Sequence, residues 1–294
     1  MFESSFAMAY CVFVVALLGL CMGSFLNCLA WRMAHGESVT KGRSHCVSCG
    51  HELAAKDLVP VFSWLLLRGK CRYCGTRVSA RYPLVEALCA CVFVSLFLRY
   101  GLTLTTVELI AFSCALLVLS LTDLDIYVIP NSTIVAAIVI RLAYIGIGGA
   151  LGMHDALALL VESLVGAFVV AVPVLLLSLV MDHVLGRPSL GGGDVKLLFV
   201  AGLYFGWQQS LFLIILACVL GIVLAAVGKR ATNAGEDPET GEIAQTEVDA
   251  DASEVVEDAQ SRLIPFGPAI ALSCWVTMLV GPQVVSWYLS LVHL

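Results

Sequence analysis

The stretch Gly191-Gly192-Gly193-Asp194-Val195-Lys196 places an ionisable side chain where a glycine-rich loop enters an apolar segment. A carboxylate at the edge of lipid is costly, so Asp194 is a candidate functional residue. A second acidic pair, Asp123 and Asp125, follows another apolar run, 112–121. We therefore expect two membrane helices to present acidic side chains near one face of the bilayer.

The composition is that of a protein with several membrane helices. Of the 294 residues, 60% are hydrophobic and 13% are charged, and the mean hydropathy is +0.96. These values exclude an ordinary soluble domain. The net charge of −6 arises from 231–261, which holds ten acidic residues and no lysine or arginine. The wider loop 229–262 is acidic and poor in aromatic residues, a composition that predicts disorder.

The apolar runs predict an all-α polytopic membrane protein with about eight transmembrane helices. Each run is long enough, or nearly so, to cross roughly 30 Å of hydrocarbon. The run from 194 is short and follows the glycine loop, so we expect a broken or tilted helix there. The predicted spans are 6–30, 82–99, 104–122, 131–149, 155–180, 194–207, 209–228 and 264–291.

The basic residues predict an orientation. None precedes the first span, which also argues against a cleaved signal peptide, and nine lie between 32 and 81. The N-terminus is therefore expected outside, with 14 of the 16 basic residues and all three aspartates at the cytoplasmic face. The predicted domains are a first span (1–30), a cytoplasmic zinc-binding loop (31–81), a transmembrane catalytic core (82–228), an acidic cytoplasmic loop (229–263) and a last span (264–294).

Four of the twelve cysteines form two CxxC pairs, Cys46/Cys49 and Cys71/Cys74, each followed by glycine. Two such pairs can supply four thiolates in a tetrahedron, which suits a structural Zn²⁺ with no open position. Disulfides are not expected in a cytoplasmic loop. Zinc is the favoured interpretation, and an iron–sulfur or redox site is the alternative.

The aspartates predict acid–base chemistry by a carboxyl pair. When two carboxyls share a proton, one is ionised and activates water, while the other polarises the carbonyl under attack. On a helix, Asp125 points about 200° away from Asp123, so only one of the two should face Asp194. The competing interpretation is that these residues cap helix ends or reach towards water. The preferred pair, Asp123 and Asp194, predicts an intramembrane aspartic protease.

Two other functions remain open from the residues alone. Intramembrane aspartates also serve as proton relays in transporters and channels, although only one glycine-interrupted span is evident here. Alternatively, Asp123, Asp125 and Asp194 together could hold a metal ion. Two further acids lie in spans: Glu86 is expected to contact substrate or a basic partner, and Glu162 is expected to pair with a residue such as Arg141.

Taken together, the motifs resemble the type IV prepilin peptidase family of GxGD-type membrane aspartic proteases, over nearly the whole chain. The segments that carry the resemblance are 23–27 (GSFLN), 60–71 (PVFSWLLLRGKC), 81–86 (RYPLVE), 122–130 (TDLDIYVIP), 191–197 (GGGDVKL) and 264–268 (IPFGP). GxGD alone would be a weak signal, whereas the combination is specific.

The resemblance implies that Asp123 and Asp194 are the catalytic aspartates. It also implies cleavage of a short basic leader from prepilins or pseudopilins at the cytoplasmic face of the bacterial plasma membrane. S-adenosyl-L-methionine-dependent N-methylation of the new N-terminus would follow, and the cysteine loop is typical of members with both activities. The implied partners are these substrates and membrane lipid, and not nucleic acid. Two features depart from the family pattern: Asn131 stands where many relatives have aspartate, and the loop 229–262 is unusually long.

Overall fold

The computed structural model describes residues 5–38, 42–186, 190–233 and 265–291, with backbone only for 227–233. Most of this is helix, and the loop between α1 and α3 is the main exception. The β-type pairings among the described residues are two isolated bridges, His45 with Glu52 and Lys70 with Arg77. The acidic loop 229–263 lies almost entirely outside the described residues. The helices are α1 (Ser5–Ala34), α2 (Phe62–Leu66), α3 (Arg81–Tyr100), α4 (Leu104–Ile126), α5 (Asn131–Ala150), α6 (Ala156–Leu185), α7 (Gly192–Asn233) and α8 (Gly267–Leu291).

All of these helices except α2 are long and apolar enough to cross a membrane, which makes seven in the described part of the chain. The all-α polytopic fold predicted from the sequence is confirmed. Helix caps explain several boundaries: the Thr103 side chain accepts from the Thr106 N–H before α4, and Asp155 accepts from the backbone before α6.

Helix α7 contains a break at Gly206, where φ is 65° and ψ is −178°. This conformation is accessible only to glycine, and it interrupts the helical hydrogen bonding. The first arm, 192–206, begins beside Ile129: a Cβ on Gly193 would lie 3.0 Å from the Ile129 Cβ. Farther along this arm, the Tyr204 hydroxyl donates to the Ala137 carbonyl at 2.8 Å.

The second arm of α7 runs back along α8. A Cβ added to Gly281 of α8 would lie 3.1 Å from the Gln209 Oε1, so these two residues are neighbours. Farther along, Gly221 lies against the Phe266 ring. Phe266 adjoins Gly267, whose N–H donates to Asp123. The start of the first arm and the end of the second therefore lie at the same end of the bundle. The chain reverses at Gly206, so α7, one of the seven long apolar helices, consists of two arms that correspond to the predicted segments 194–207 and 209–228.

Helix α4 occupies the centre of the bundle and contacts α1, α3, α5 and α8. Its Phe112 and Leu119 join the main core, together with Leu197 and Leu213 of α7 and Ile270 of α8. A second apolar cluster joins α1 to α3 and α4. Burial of this central helix fixes the position of the aspartates at its end.

Glycines allow two of the helix pairs to approach closely. A Cβ on Gly19 would lie 2.6 Å from the Ala90 Cα, at the crossing of α1 and α3. A Cβ on Gly202 would lie 2.6 Å from the Gly166 carbonyl oxygen, at the crossing of α6 and α7. Small residues at such crossings are the usual means of tight packing between membrane helices.

Candidate active site and cysteine cluster

Asp123 and Asp194 meet at one end of the bundle. Asp123 lies in the last turn of α4, is 6% exposed, and accepts a hydrogen bond at Oδ2 from the Gly267 N–H at 2.9 Å. Asp194 lies in the first turn of α7 and is half-buried. Ile129, in the linker that follows α4, contacts Gly193, the neighbour of Asp194, so both carboxyls lie at this end of the bundle. The structure therefore brings together the two aspartates that the sequence selected, although they are 71 positions apart.

The glycine loop before Asp194 is closely packed. A Cβ on Gly191 would lie 3.0 Å from the Asp194 Oδ2, and Gly193 is in contact with Ile129. One group that approaches this loop is the Ile129 side chain, from the linker between α4 and α5. Lys196, in the same helical turn, donates to the Asn131 Oδ1 at 2.9 Å. Asn131, the departure from the family pattern, thus ties α5 to α7.

Asp125 faces away from this pair, as the helix geometry predicted. Its Oδ2 accepts from the Arg81 Nη2 at 2.8 Å, and the Arg81 Nη1 donates to its other oxygen. The same guanidinium reaches the Leu121 carbonyl at 3.4 Å. A bidentate pair of this kind fixes the geometry of both groups. It ties the start of α3 to the end of α4 and leaves Asp125 unsuited to a metal site shared with Asp123 and Asp194.

The sequence missed the contribution of Gly267. A Cβ at this position would lie 2.7 Å from the Asp123 Oδ2, so only glycine lets the backbone N–H reach that oxygen. Gly267 belongs to the quoted segment 264–268, but nothing in that segment alone identifies Asp123 as its partner. The contact depends on α8 packing against α4.

The predicted pairing of Glu162 with Arg141 is wrong. Arg141 donates through Nη1 to the Glu108 Oε1 at 2.9 Å and through Nη2 to the Ser163 hydroxyl at 3.0 Å. Glu108 and Arg141 are 5% and 8% exposed, whereas Glu162 is exposed on α6. Glu162 and Ser163 are adjacent in sequence, so the prediction identified the correct turn of α6. The residue of that turn that faces Arg141 is Ser163, and Glu162 lies on another side of the helix.

The four cysteines form a compact cluster outside the membrane helices. The sulfur atoms of Cys46, Cys49, Cys71 and Cys74 all lie within 4.8 Å of one another, and those of Cys46 and Cys74 are 3.9 Å apart. Gly50 and Gly75 follow the second cysteine of each pair with positive φ, as the tight turns require. These four thiols could hold one metal ion, as the two CxxC pairs predicted.

Hydrogen bonding and mutual repulsion give these thiols different pKa values. Hydrogen bonding with the Thr76 side chain and backbone lowers the pKa of Cys74 to about 6. At Cys49 the backbone hydrogen bond to His51 acts in the same direction, but burial and the neighbouring thiols Cys46 and Cys74 outweigh it and raise the pKa to about 11. Four thiolates this close repel one another, and a divalent cation would relieve that repulsion.

Hydrogen bonds around Asp57 connect the cluster to the rest of its loop. The Asp57 carboxylate accepts from the Arg72 Nε at 2.6 Å, from the Tyr73 hydroxyl at 3.0 Å and from the Ala54 N–H at 3.2 Å. Burial alone would raise the pKa of Asp57, but these donors hold it below its ordinary value. Arg72 and Tyr73 lie between Cys71 and Cys74, so Asp57 braces the second CxxC turn.

Glu86 joins this loop to the membrane helices. It is 6% exposed on α3, and its Oε2 accepts from the Val61 N–H at 2.7 Å. Val61 has a φ of 61°, which is strained for a β-branched residue. The sequence predicted a substrate or a basic side chain as its contact, and the observed partner is instead a backbone N–H of the cysteine loop.

Comparison with known proteins identifies the family. Residues 17–100 match the Bacterial Peptidase A24 N-terminal domain, and residues 110–226 match the Type IV leader peptidase family. The chain is 32% identical to a prepilin leader peptidase/N-methyltransferase of Myxococcus xanthus, over 90% of this chain and 89% of that protein. Proteins of the same description from Pseudomonas putida and Stutzerimonas stutzeri are each 29% identical over more than nine-tenths of both chains.

This chain belongs to the type IV leader peptidase family. It is therefore an enzyme of a protease family, and the resemblance seen in the motifs is confirmed. No solved structure matches the chain significantly. Family membership favours the protease interpretation of Asp123 and Asp194 over the transporter alternative.

Proposed function

We propose that this protein is a membrane aspartic endopeptidase that removes the basic leader from type IV prepilins and pseudopilins. The observation that carries the proposal is the convergence of Asp123 and Asp194 from α4 and α7 at one end of the bundle. Relatives that span nearly the whole chain are prepilin leader peptidases. Asp125, held by Arg81, has no catalytic role in this proposal.

In the proposed reaction, one carboxylate of the pair is ionised and takes a proton from a water molecule. The resulting hydroxide attacks the carbonyl carbon of the scissile peptide bond, while the protonated partner donates a hydrogen bond to the carbonyl oxygen. Transfer of a proton to the leaving nitrogen then breaks the C–N bond. The Gly267 N–H orients the Asp123 carboxylate during this sequence.

We further propose that the aspartate end faces the cytoplasm of a bacterium and that the N-terminus of α1 lies outside. Nine basic residues lie between 32 and 81, in the last turn of α1 or after it, and none precedes α1, which supports this orientation. The proposed domains are the predicted ones: a first span (1–30), a zinc-binding loop (31–81), a catalytic core (82–228), an acidic loop (229–263) and a last span (264–294).

The cysteine loop is proposed to hold one structural Zn²⁺ through Cys46, Cys49, Cys71 and Cys74. Four sulfur donors within 4.8 Å of one another fit a tetrahedral thiolate site. The names of the relatives also support a second activity, N-methylation of the new N-terminus with S-adenosyl-L-methionine as methyl donor.

A cleavage assay tests this function. The purified protein, in nanodiscs, is incubated with a pilin-like peptide that carries a basic leader followed by Gly-Phe, and the products are identified by mass spectrometry. Cleavage after the glycine is expected, with a mass increase of one methyl group when S-adenosyl-L-methionine is added. An Asp194→Asn protein prepared in parallel controls for contaminating proteases, and cleavage by that variant at the wild-type rate would refute the assignment.

A further inference from the structure

The short helix of the cysteine loop, α2 (Phe62–Leu66), leaves an apolar surface exposed. Phe62, Leu65 and Leu66 are 59%, 58% and 83% exposed. They occupy helix positions i, i+3 and i+4, so they point in one direction and form a single surface, the apolar face of α2. Contiguous apolar surface of this kind marks a contact with another molecule or with lipid.

The opposite side of α2 is occupied by the cysteine loop itself. The Trp64 Nε1 donates to the Val78 carbonyl at 3.0 Å, and a Cβ on Gly69 would lie 3.0 Å from the Trp64 ring. The Ser63 hydroxyl donates to the Val59 carbonyl at 2.8 Å. These contacts fix the rotation of α2 about its axis, so the helix cannot turn its apolar face into the loop.

The level of α2 relative to the membrane follows from Glu86. Helix α3 begins at Arg81 and has 20 residues, so it is about 30 Å long and needs its whole length to cross the hydrocarbon. Glu86 lies about 7.5 Å along the axis from Arg81. Its Oε2 accepts from the Val61 N–H at 2.7 Å, and helical side chains lean towards the N-terminus of their helix. Val61, and with it the start of α2, therefore lies near the level at which α3 enters the membrane.

Three basic residues flank the apolar face of α2. Lys56 precedes the helix, Arg68 and Lys70 follow it, and all three are exposed. None of the ion pairs among the described residues includes them. An apolar face bordered by exposed cations is typical of a helix that lies in the surface of an anionic bilayer. The same cations would repel a basic peptide.

We propose that α2 lies in the bilayer surface, with its apolar face against the acyl chains and with Lys56, Arg68 and Lys70 at the headgroups of anionic lipids. The occupant of the face is therefore lipid and not a protein. The inference depends on the membrane crossing of α3 and not on the proposed peptidase activity. The positive φ of Val61 turns the chain into α2 at this level, and the Glu86 carboxylate holds it there.

This arrangement anchors the cysteine loop at its middle. The loop is already joined to the membrane helices at both ends, by α1 and α3. With α2 in the bilayer surface, the cations beside it are held at the height of the headgroups. Their attraction to anionic lipid is strongest there, since it falls off within a Debye length of the surface.

Photocrosslinking from the apolar face of α2 tests this inference. Leu66 is replaced by p-benzoylphenylalanine in the full-length protein, which is placed in nanodiscs of phosphatidylcholine and phosphatidylglycerol, irradiated and digested for mass spectrometry. We expect lipid adducts on the peptide that contains residue 66, because benzophenone inserts into the C–H bonds of acyl chains. The same replacement of Glu52 is the matched control, since Glu52 lies in the same loop and pairs with Arg43 in solvent. It should give no lipid adduct.

Irradiation of the same variant in bacterial membranes distinguishes lipid from protein as the occupant. Lipid adducts at residue 66 support the proposal there as well. Crosslinks to another protein chain in place of lipid would overturn it and identify the face as a protein-docking surface. Adducts at residue 66 no more abundant than at residue 52 would also overturn it.

Hydrogen exchange of the unmodified protein protects the test against misfolding of the labelled variant. The amides of 62–70 should exchange about threefold more slowly in nanodiscs that contain phosphatidylglycerol than in phosphatidylcholine alone. Arg68→Gln should reduce this difference, whereas Arg43→Gln, which removes an exposed cation elsewhere in the loop, should leave it unchanged. Equal exchange of the wild type in the two lipids would refute the binding of anionic headgroups. Neither measurement uses the cleavage reaction, so this inference and the proposed function can fail separately.

Discussion

The cysteine loop and the membrane bundle are stabilised in opposite ways. In the described part of the loop, 42–80, only Gly69 and Cys71 are buried, whereas α4 alone buries twelve residues. The loop depends on four sulfur atoms and a few polar contacts, and the bundle depends on close packing between helices. Removing a metal ligand should therefore destroy the loop locally, whereas single changes in the bundle should act according to the contact they break.

The largest effect is expected within the bundle, at the paired carboxylates. Asp123→Asn and Asp194→Asn should each reduce the cleavage rate by on the order of 10⁴-fold. The two carboxyls act as a unit, so removing either one should remove nearly all of the activity. Asp125→Asn is the matched control, two residues from Asp123 but held by Arg81, and it should retain most of the activity. The measurement is the rate of leader removal, with membrane levels of each variant checked by immunoblot. Activity of either first variant near that of Asp125→Asn would contradict the assignment.

The next largest effect is expected in the loop. Cys71→Ser should abolish metal binding, since a structural thiolate site with three sulfurs loses most of its affinity and with it the folding of the loop. Elemental analysis should find about one zinc per wild-type chain and almost none in the variant. Methylation should suffer more than cleavage, because loss of the cluster should disturb 31–81 more than the aspartates on α4 and α7.

Cys91→Ser provides the control for this substitution, since Cys91 is exposed in the middle of α3 and belongs to neither CxxC pair. It should keep the metal and both activities. Wild-type protein purified without chelator that contains no zinc would refute the metal assignment, and zinc retained by Cys71→Ser would remove that residue from the ligand set.

This contrast also explains how far the sequence could be interpreted. The loop is specified locally, so the CxxC spacing sufficed to predict the cluster. The apolar runs predicted the long membrane helices and the division of one of them into 194–207 and 209–228, and the two-residue spacing predicted that Asp125 would face away. The hydrogen bond from Gly267 to Asp123 and the pairing of Arg141 with Glu108 depend on which helices become neighbours in space. No pattern within one segment carries that information.

The pairing of Arg141 with Glu108 predicts a large loss of stability with no change in chemistry. Glu108→Gln leaves the Arg141 charge uncompensated in the bundle, which should cost about 3–5 kcal/mol. Glu162→Gln removes an exposed carboxylate from the neighbouring helix and should have little effect. Thermal denaturation in detergent distinguishes the two, and equal midpoints for both variants would mean that the ion pair does not stabilise the bundle.

A smaller effect is expected at the crossing of α6 and α7. In Gly202→Ala the new methyl group would meet the backbone of Gly166 and Ala167 at 2.6–2.9 Å, so the helices must separate, at a cost of about 1–3 kcal/mol. Gly146→Ala on α5 is the control, because no atom lies within 4 Å of its added Cβ. It should be neutral or slightly stabilising, since alanine favours helix. Greater destabilisation by Gly146→Ala than by Gly202→Ala in the same denaturation assay would contradict the packing described.

The smallest effect is expected in the loop, where it depends on pH. Donors from Arg72, Tyr73 and Ala54 hold the pKa of Asp57 below its unfolded value of about 3.9. The ionised group therefore stabilises the loop at any pH above that unfolded value, and the stabilisation is lost as the pH falls through the lower folded pKa. Asp57→Asn should lose amide-hydrogen protection in peptides covering 53–78 at pH 7, and its difference from wild type should shrink below about pH 4.

Glu52→Gln breaks an exposed ion pair in the same loop and should change little at either pH. A difference between Asp57→Asn and wild type that stayed constant from pH 7 to pH 3 would mean that packing of Asp57, and not its charge, braces the second CxxC turn.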